Sequence, residues 1–310
     1  MDRQKILLKN YPKNCTIWKM NNILENYSKN YSEQIKKRRF WNIFIVLGLF
    51  VAILISSSII DLNMTRITSG IPRLGDYIAK ILPNLDTNLL FANSQIEGSV
   101  PYWYFNFKKY IVLLYETFNM AVLSTLFGFV FALLLSFFSA RNITPNVLSF
   151  FFVKRFLEFL RGVPEIIFAI LFVWALGVGP LAGIIAMTIH TTGALGKLFS
   201  EVHENAELKS CEAIRSAGGG WVPEMRYGVL PQVLPNIISY ALLRFEINIR
   251  ASTVIGFVGA GGIGQELYLV INFNYYEEVS AIILLIILTV ITIDITSGAL
   301  RQRIIKGTHD

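Results

Sequence analysis

The sequence predicts an all-α, polytopic bundle of about six membrane-spanning helices. Three features predict it. Hydrophobic residues make up 54% of the 310 residues and charged residues only 16%, where an ordinary soluble domain carries roughly 25% charge. That leaves too little polar surface to cover a core in water. Six stretches are apolar over the ~20 residues that a bilayer demands. Lys and Arg collect on alternate connecting segments, the asymmetry that orients a membrane protein. The formal net charge of +7 is therefore read as an orientation signal and not as a footprint for nucleic acid.

Residues 1–40 form a basic arm. Ten of the 28 Lys and Arg precede Trp41, ending in Lys36, Lys37, Arg38 and Arg39. Such a cluster before an apolar run places the N-terminus in the cytoplasm. The first span is Trp41–Ile60. It begins far from the N-terminus with no A-x-A pattern after it, so it is expected to remain as a signal anchor. With the outside loop Asp61–Lys109 it makes up residues 41–109. In that loop Ile71, Leu74, Ile78, Ile81 and Leu82 recur at helical spacing, opposite Arg73, Asp76 and Lys80. This predicts a short helix lying in the membrane interface. "PYWYFNF", Pro101–Phe107, reads as an aromatic belt.

The remainder, 110–310, holds five spans. Tyr110–Ala140 is long enough to tilt or protrude. Val163–Val178 is short and follows "FFVKRFLEFLRG", which is apolar but interrupted by charge. Pro164 suits a first helical turn and Glu165 its positive end, so this segment reads as a helix start. Pro180–Ser200, Val229–Ile249 and Val279–Leu300 come next, the fifth span carrying charges. Six spans return the C-terminus to the cytoplasm. The stretches 141–161 and 197–226 and the tail with Arg301, Arg303 and Lys306 all carry Lys and Arg, whereas the outside loop Ala251–Glu278 has none; the outside loop Asp61–Lys109 has five, but long loops weigh less. Cys15 and Cys211 have no metal-ligand spacing. Both fall in segments assigned to the cytoplasm, which predicts thiols and no disulfide.

"GFVGAGGIGQEL" begins at Gly256. Gly259, Gly261 and Gly264 fit G-x-G-x-x-G, with Gly262 between them. That fingerprint needs a preceding strand, a following helix and an acidic residue about 20 positions on. Here it lies between two spans without such a residue, so no nucleotide or other cofactor is expected. Two readings stay open: a partly re-entrant gate, since irregular backbone is tolerated where it lines a cavity, or a tight external turn. No G-x-x-x-x-G-K-[ST], H-E-x-x-H or G-x-S-x-G occurs. The chain is therefore not expected to hydrolyse ATP by a P-loop or to be an enzyme.

Arg244, Glu246 and Arg250 lie in the fifth span. Ionisable groups in a bilayer pair or line a water-filled route. Glu246 and Arg250, four apart, share a helix face and can neutralise each other. Alternatively Arg244 or Arg250 attracts an anion on its way across. His190, Thr191 and Thr192 in the fourth span read either as a small-residue packing face or as part of that path.

"CEAIRSAGGGWVPEMRYGVLPQVLP", Cys211–Pro235, lies in a cytoplasmic loop. Asn205 can cap a short helix running to about Ala217, and Gly218 can end it. Glu212, Ala213 and Ile214, then Gly218, then Leu230 and Pro231 resemble the E-A-A, G and L-P elements of the membrane subunits of bacterial ABC importers. Ile214 departs from the family's second alanine, and Gly228 stands where an isoleucine is usual. "HTTGALGKLFSE", "YGVLPQVLP", "RFEINIRASTVIGFVGAGGIG" and "ARNITP" narrow the likeness to the phosphonate-transport permeases. It runs from about Phe131 to the C-terminus. The resemblance implies a type I ABC importer permease fold, with 110–310 as its core and a coupling loop at about 201–228. It implies two permease copies in the bacterial inner membrane, an ATPase subunit docked inside on Glu212, Ala213, Ile214, Gly218, Leu230 and Pro231, and a substrate-binding protein outside. The expected cargo is a phosphonate, or else phosphite, hypophosphite or phosphate. An intramembrane enzyme or a channel is the remoter alternative.

Overall fold

A computed structural model describes residues 13–59, 64–83 and 85–306, with the side chains of 13–26, 28, 66, 67, 305 and 306 excepted. The side chain of Cys15 and the first 12 residues of the basic arm lie outside this description. Every regular element among the described residues is helical. The chain divides into two compact units at Gly75/Asp76.

In the first unit α1, Lys13–Ile59, is one continuous helix of 47 residues. The described part of the arm is thus helical and runs into the span without a break. Its Lys29–Ile59 portion is long and apolar enough to cross a membrane. The next helix, α2 (Met64–Ile81), begins seven residues before the expected stripe and contains Pro72. Its apolar residues Ile71, Leu74 and Ile78 are exposed, as an amphipathic helix leaves them.

The second unit runs α3 (Val100–Trp103), α4 (Phe107–Ser139), α5 (Val147–Gly162), α6 (Glu165–Leu176), α7 (Pro180–Glu204), α8 (Lys209–Ser216), α9 (Trp221–Pro223), a π turn (Glu224–Val229), α10 (Leu230–Gly256), α11 (Gly262–Asn272) and α12 (Tyr276–Lys306). Helices α4, α7 and α12 are each long and apolar enough to span. The expected third span is different. It is the 12-residue α6, about 18 Å long and too short for a ~30 Å hydrocarbon core. It is joined to α5 at a bend of 84°. Val163 and Pro164 are both extended, at φ −86°, ψ 122° and φ −56°, ψ 140°; a residue before proline is kept out of the α region by the proline ring, and the helix breaks there. The fifth span is α10, whose 27 residues reach about 40 Å. It packs on α4, α7, α11 and α12 and is apolar only on part of its surface. With α5 and α6 taken as one broken crossing, five crossings among the described residues are long and apolar enough to span; α10 is long enough but less apolar, and counting it as the expected fifth span gives about six.

Helix α7 is the centre of the bundle, packed on α4, α5, α6 and α10. Small residues let backbones approach where lipid supplies no hydrophobic drive between helices. A Cβ at Gly193 would stand 2.6 Å from the Arg161 amide nitrogen, and one at Gly128 would meet Thr191. Towards one end of the bundle Leu195, Phe199 and Val202 join Ala132, Val229, Val233 and Ile237 in a buried cluster under the α7–α10 loop. At the other end Tyr110, Ile263, Leu267, Val270 and Ile282 form a second.

Candidate functional site

Two constellations stand out, one inside the bundle and one in the α7–α10 loop. Inside, α10 carries Arg244 towards α7. Its Nη2 lies 2.6 Å from His190 Nδ1 and its Nε donates to Thr191 Oγ1 at 3.3 Å. Glu165, on the first turn of α6, brings Oε2 within 2.8 Å of the same His190 nitrogen. One turn along α10, buried Asn248 donates through Nδ2 to Thr125 Oγ1 of α4 at 2.8 Å and to Thr191 Oγ1 at 3.0 Å. Five residues from four helices are thus connected around one arginine. Arg244 and His190 are partly exposed while Thr191 and Asn248 are buried, so the charged end of the network opens outward.

Sequence reasoning found Arg244, His190 and Thr191 but not Glu165, Asn248 or Thr125. Glu165 was readable only as a helix start. Asn248 and Thr125 have no local signal, because what makes them a pair is helix crossing. Thr192 does not join: it is buried and its hydroxyl donates to its own backbone, Thr188 O, at 2.8 Å. The expected neutralisation of Glu246 by Arg250 does not form. Arg250 Nη2 reaches both carboxylate oxygens of Asp294 on α12, at 2.8 and 2.7 Å. Glu246 faces Arg301, 3.8 Å away, and its Oε1 has no hydrogen-bond partner among the described residues. Helix α12 supplies opposite charges to both residues, and a bidentate contact outweighs a pair along one helix, which contributes only about 0.2–0.5 kcal/mol.

The glycine segment is a tight turn followed by an unforeseen helix, α11. Gly259, Gly261 and Gly262 adopt φ of 88°, 82° and 71°. The turn is pinned from α4, where Glu116 Oε1 accepts from Gly262 N at 3.0 Å and Thr117 Oγ1 from Ile263 N at 2.9 Å; these capture amides that a helix N-terminus leaves free. Gly264 lies against the Thr253 carbonyl, and a Cβ at Gly256 would stand 2.7 Å from the Gln265 nitrogen. The glycines are therefore used for a backbone crossing of α10 and α11.

In the loop, α8 has eight residues. Asn205 does not cap it; its Nδ2 donates to Glu201 O at 2.9 Å at the end of α7. Gly218 ends α8 at φ 85°, with Gly218 N donating to Arg215 O and Gly219 N to Ile214 O. Glu212 and Ala213 are exposed, Ile214 is half-buried, and buried Cys211 packs beneath, against Gly228. A Cβ at Gly228 would stand 2.9 Å from Cys211 Sγ, which accounts for the missing isoleucine. Arg215 embraces Glu224 of the π turn, Nε to Oε1 at 2.9 Å and Nη2 to Oε2 at 2.7 Å. These bonds hold the Glu224 carboxyl below its ordinary range and raise the arginine; burial raises the Cys211 thiol. Trp221 Nε1 donates to Ile143 O at 2.7 Å. Half-buried Leu230 and exposed Pro231 open α10.

The chain has relatives. Residues 132–308 match the family described as binding-protein-dependent transport system inner membrane component. The phosphite transport system permease protein PtxC of Stutzerimonas stutzeri is 41% identical over 63% of this chain and 71% of its own length. The putative phosphite transport system permease protein HtxC of the same organism is 30% identical over 89% of this chain and 90% of its own. A putative cryptic phosphonate transport system permease protein of Escherichia coli K12 is 48% identical over 39% of this chain and 99% of its own. The fold is shared with a chain of the MetNI methionine ABC transporter, at a TM-score of 0.55 and 21% identity over 63% of this chain and 95% of that one. With the matching model covering more than half the sequence and the spans arranged as above, the chain belongs to the inner-membrane permease components of binding-protein-dependent transport systems.

Proposed function

We propose that the chain is the membrane subunit of an ATP-driven importer for a phosphorus oxyanion: a phosphonate, or the related phosphite, hypophosphite or phosphate. The observation that carries the cargo class is Arg244, held in the bundle by His190 and Thr191 with its charge partly open. A planar guanidinium offers paired donors that suit phosphoryl oxygens. The relatives named for phosphite and phosphonate transport support the same class.

In this reading α8 is the coupling helix. Glu212, Ala213 and Ile214 present it to a separate ATPase subunit, and Gly218 sets its end. The Arg215–Glu224 clamp makes α8 and the π turn move together. Leu230 and Pro231 then carry that motion into α10, and so to Arg244, one continuous path from nucleotide to cargo. Only differential binding of ATP to the two states of the transporter can drive the change. The α7–α10 loop and both termini face the cytoplasm, a substrate-binding protein delivers from outside, and a second permease copy completes the pathway across an isologous interface. The turn at Gly259, Gly261, Gly262 and Gly264 fixes α11 beside that path.

The test is reconstitution with the ATPase and binding-protein partners. ATP hydrolysis is measured with methylphosphonate, 2-aminoethylphosphonate, phosphite, hypophosphite and phosphate in turn, beside Gly218→Asp. Stimulation by one of them, abolished by the substitution, is the expected result. Failure of this chain to assemble with an ATPase or alter its rate would defeat the proposal, and robust uptake without ATP would make it a channel.

A further inference from the structure

One nitrogen in the bundle faces two incompatible demands. His190 Nδ1 is 2.6 Å from Arg244 Nη2 and 2.8 Å from Glu165 Oε2. A guanidinium can only donate and an ionised carboxylate can only accept. A ring nitrogen offers either a lone pair or a proton in the ring plane, so it serves one partner at a time. With Nδ1 unprotonated, His190 accepts from Arg244, which is then occupied. With Nδ1 protonated, His190 donates to Glu165, and Arg244 Nη2 loses its acceptor and is available to another.

We infer that His190 is a positioning residue that exchanges Arg244 for Glu165 as cargo arrives, so that capture of a phosphorus oxyanion by Arg244 is coupled to a proton on His190. This rests on the proposal that Arg244 meets the cargo. Charge supports the coupling. Glu165, Arg244 and neutral His190 sum to zero, and one added proton gives the cluster a single positive charge opposite the anion. The proton comes from water, which reaches both partners: the side chains of His190 and Glu165 are 14% and 29% exposed. The charged groups that reach His190 among the described residues are Glu165 from α6 and Arg244 from α10. Of the other helices packed on α7, α4 meets this stretch with the backbone of Gly128, against Thr191, and its Thr125 hydroxyl accepts from Asn248 of α10. Helix α5 meets it with Leu157 and Leu160, while the Arg161 side chain is exposed. Lys154 of α5 pairs with Glu204 at the far end of α7.

The experiment uses the complex assembled with its ATPase and binding protein in proteoliposomes. The pH is equal on both sides and is varied between about pH 5.5 and pH 8. Uptake of phosphite and of methylphosphonate is measured for the unaltered chain, His190→Gln, Glu165→Gln and Arg244→Gln. Cargo speciation is common to all, so the ratio of each variant's KM to the unaltered KM isolates the protein. An allosteric coupling of ordinary size changes affinity roughly tenfold. We expect the unaltered KM to rise by about that factor towards high pH relative to His190→Gln, with kcat ratios flat. If His190→Gln does not assemble, Glu165→Gln decides in the same way. A KM ratio constant across pH overturns the coupling. Arg244→Gln reads the underlying proposal separately: normal uptake by that variant removes Arg244 from the path, whereas lost uptake with a constant His190→Gln ratio leaves the path and discards only the proton.

Discussion

Asn248 is where α4, α7 and α10 meet, through two donated hydrogen bonds to threonine hydroxyls. Hydrogen bonds between membrane helices contribute about 0.6 kcal/mol each on average. Asn248→Ala is therefore expected to lower stability by about 1 kcal/mol, read as an earlier unfolding midpoint in detergent. Gly264 is a harsher case, since the group its side chain would meet is the Thr253 carbonyl, which has no rotamer to give. Gly264→Ala should cost about 3 kcal/mol, at the upper end of overpacking penalties, and Gly264→Ala protein should be recovered in much lower amounts than Asn248→Ala. At this scale the sequence was legible for residue type and silent on partners. That Arg244, Glu246 and Arg250 need compensation is a consequence of burial in a bilayer. That Asp294 and Arg301 supply it for Arg250 and Glu246 is a consequence of how α10 lies on α12, which no local pattern encodes. His190 and Thr191 were visible as polar residues in a span, and Glu165 was hidden by its suitability as a helix start.

Among elements, α8 depends on the ion pair that ties it to the π turn. Arg215 is largely exposed and Glu224 buried, so removing the arginine strands a buried carboxylate. Arg215→Ala is expected to speed amide exchange throughout α8 and to reduce cargo-stimulated ATP hydrolysis while the spans keep their protection. The pH dependence is set by the lowered Glu224 carboxyl. A group whose folded value is depressed contributes stability above its unfolded value and loses it as pH falls through the folded one. Exchange in α8, corrected for its intrinsic rate, should hardly change from neutral to mildly acidic pH and should rise only below the ordinary carboxylate range. Glu224→Gln should exchange fast at every pH. The short helix and its glycine end were readable from the E-A-A and G elements. Asn205 was read at the wrong end because a residue between two helices suits a cap on either side, and α7 runs on to Glu204 and claims it.

At the scale of the molecule, the Arg250–Asp294 contact joins α10 to α12 with both side chains partly exposed on the chain's surface. Two charges in a span are tolerable as a pair and costly alone. Arg250→Ala and Asp294→Ala should each impair insertion and yield. The exchange Arg250→Asp with Asp294→Arg should restore most of both, measured as folded protein in the membrane fraction. The all-helical architecture and the number of crossings were legible because apolar length is a bilayer's main demand. The α5–α6 bend and α11 were not, since a broken crossing and a short packed helix look alike in hydropathy. The π turn carries a last consequence, for tolerance to length change. A π turn is an α-helix holding one residue too many, with i→i+5 bonds such as Leu230 N to Met225 O, and losing that residue restores α geometry without rotating the helix beyond it. Deleting Tyr227, which is exposed, should therefore leave α10 in phase with the bundle, while the same deletion two turns into α10 would swing every later side chain by about 100° and scatter the Arg244 network. Natural variation in chain length, if this loop admits any, belongs at Glu224–Val229.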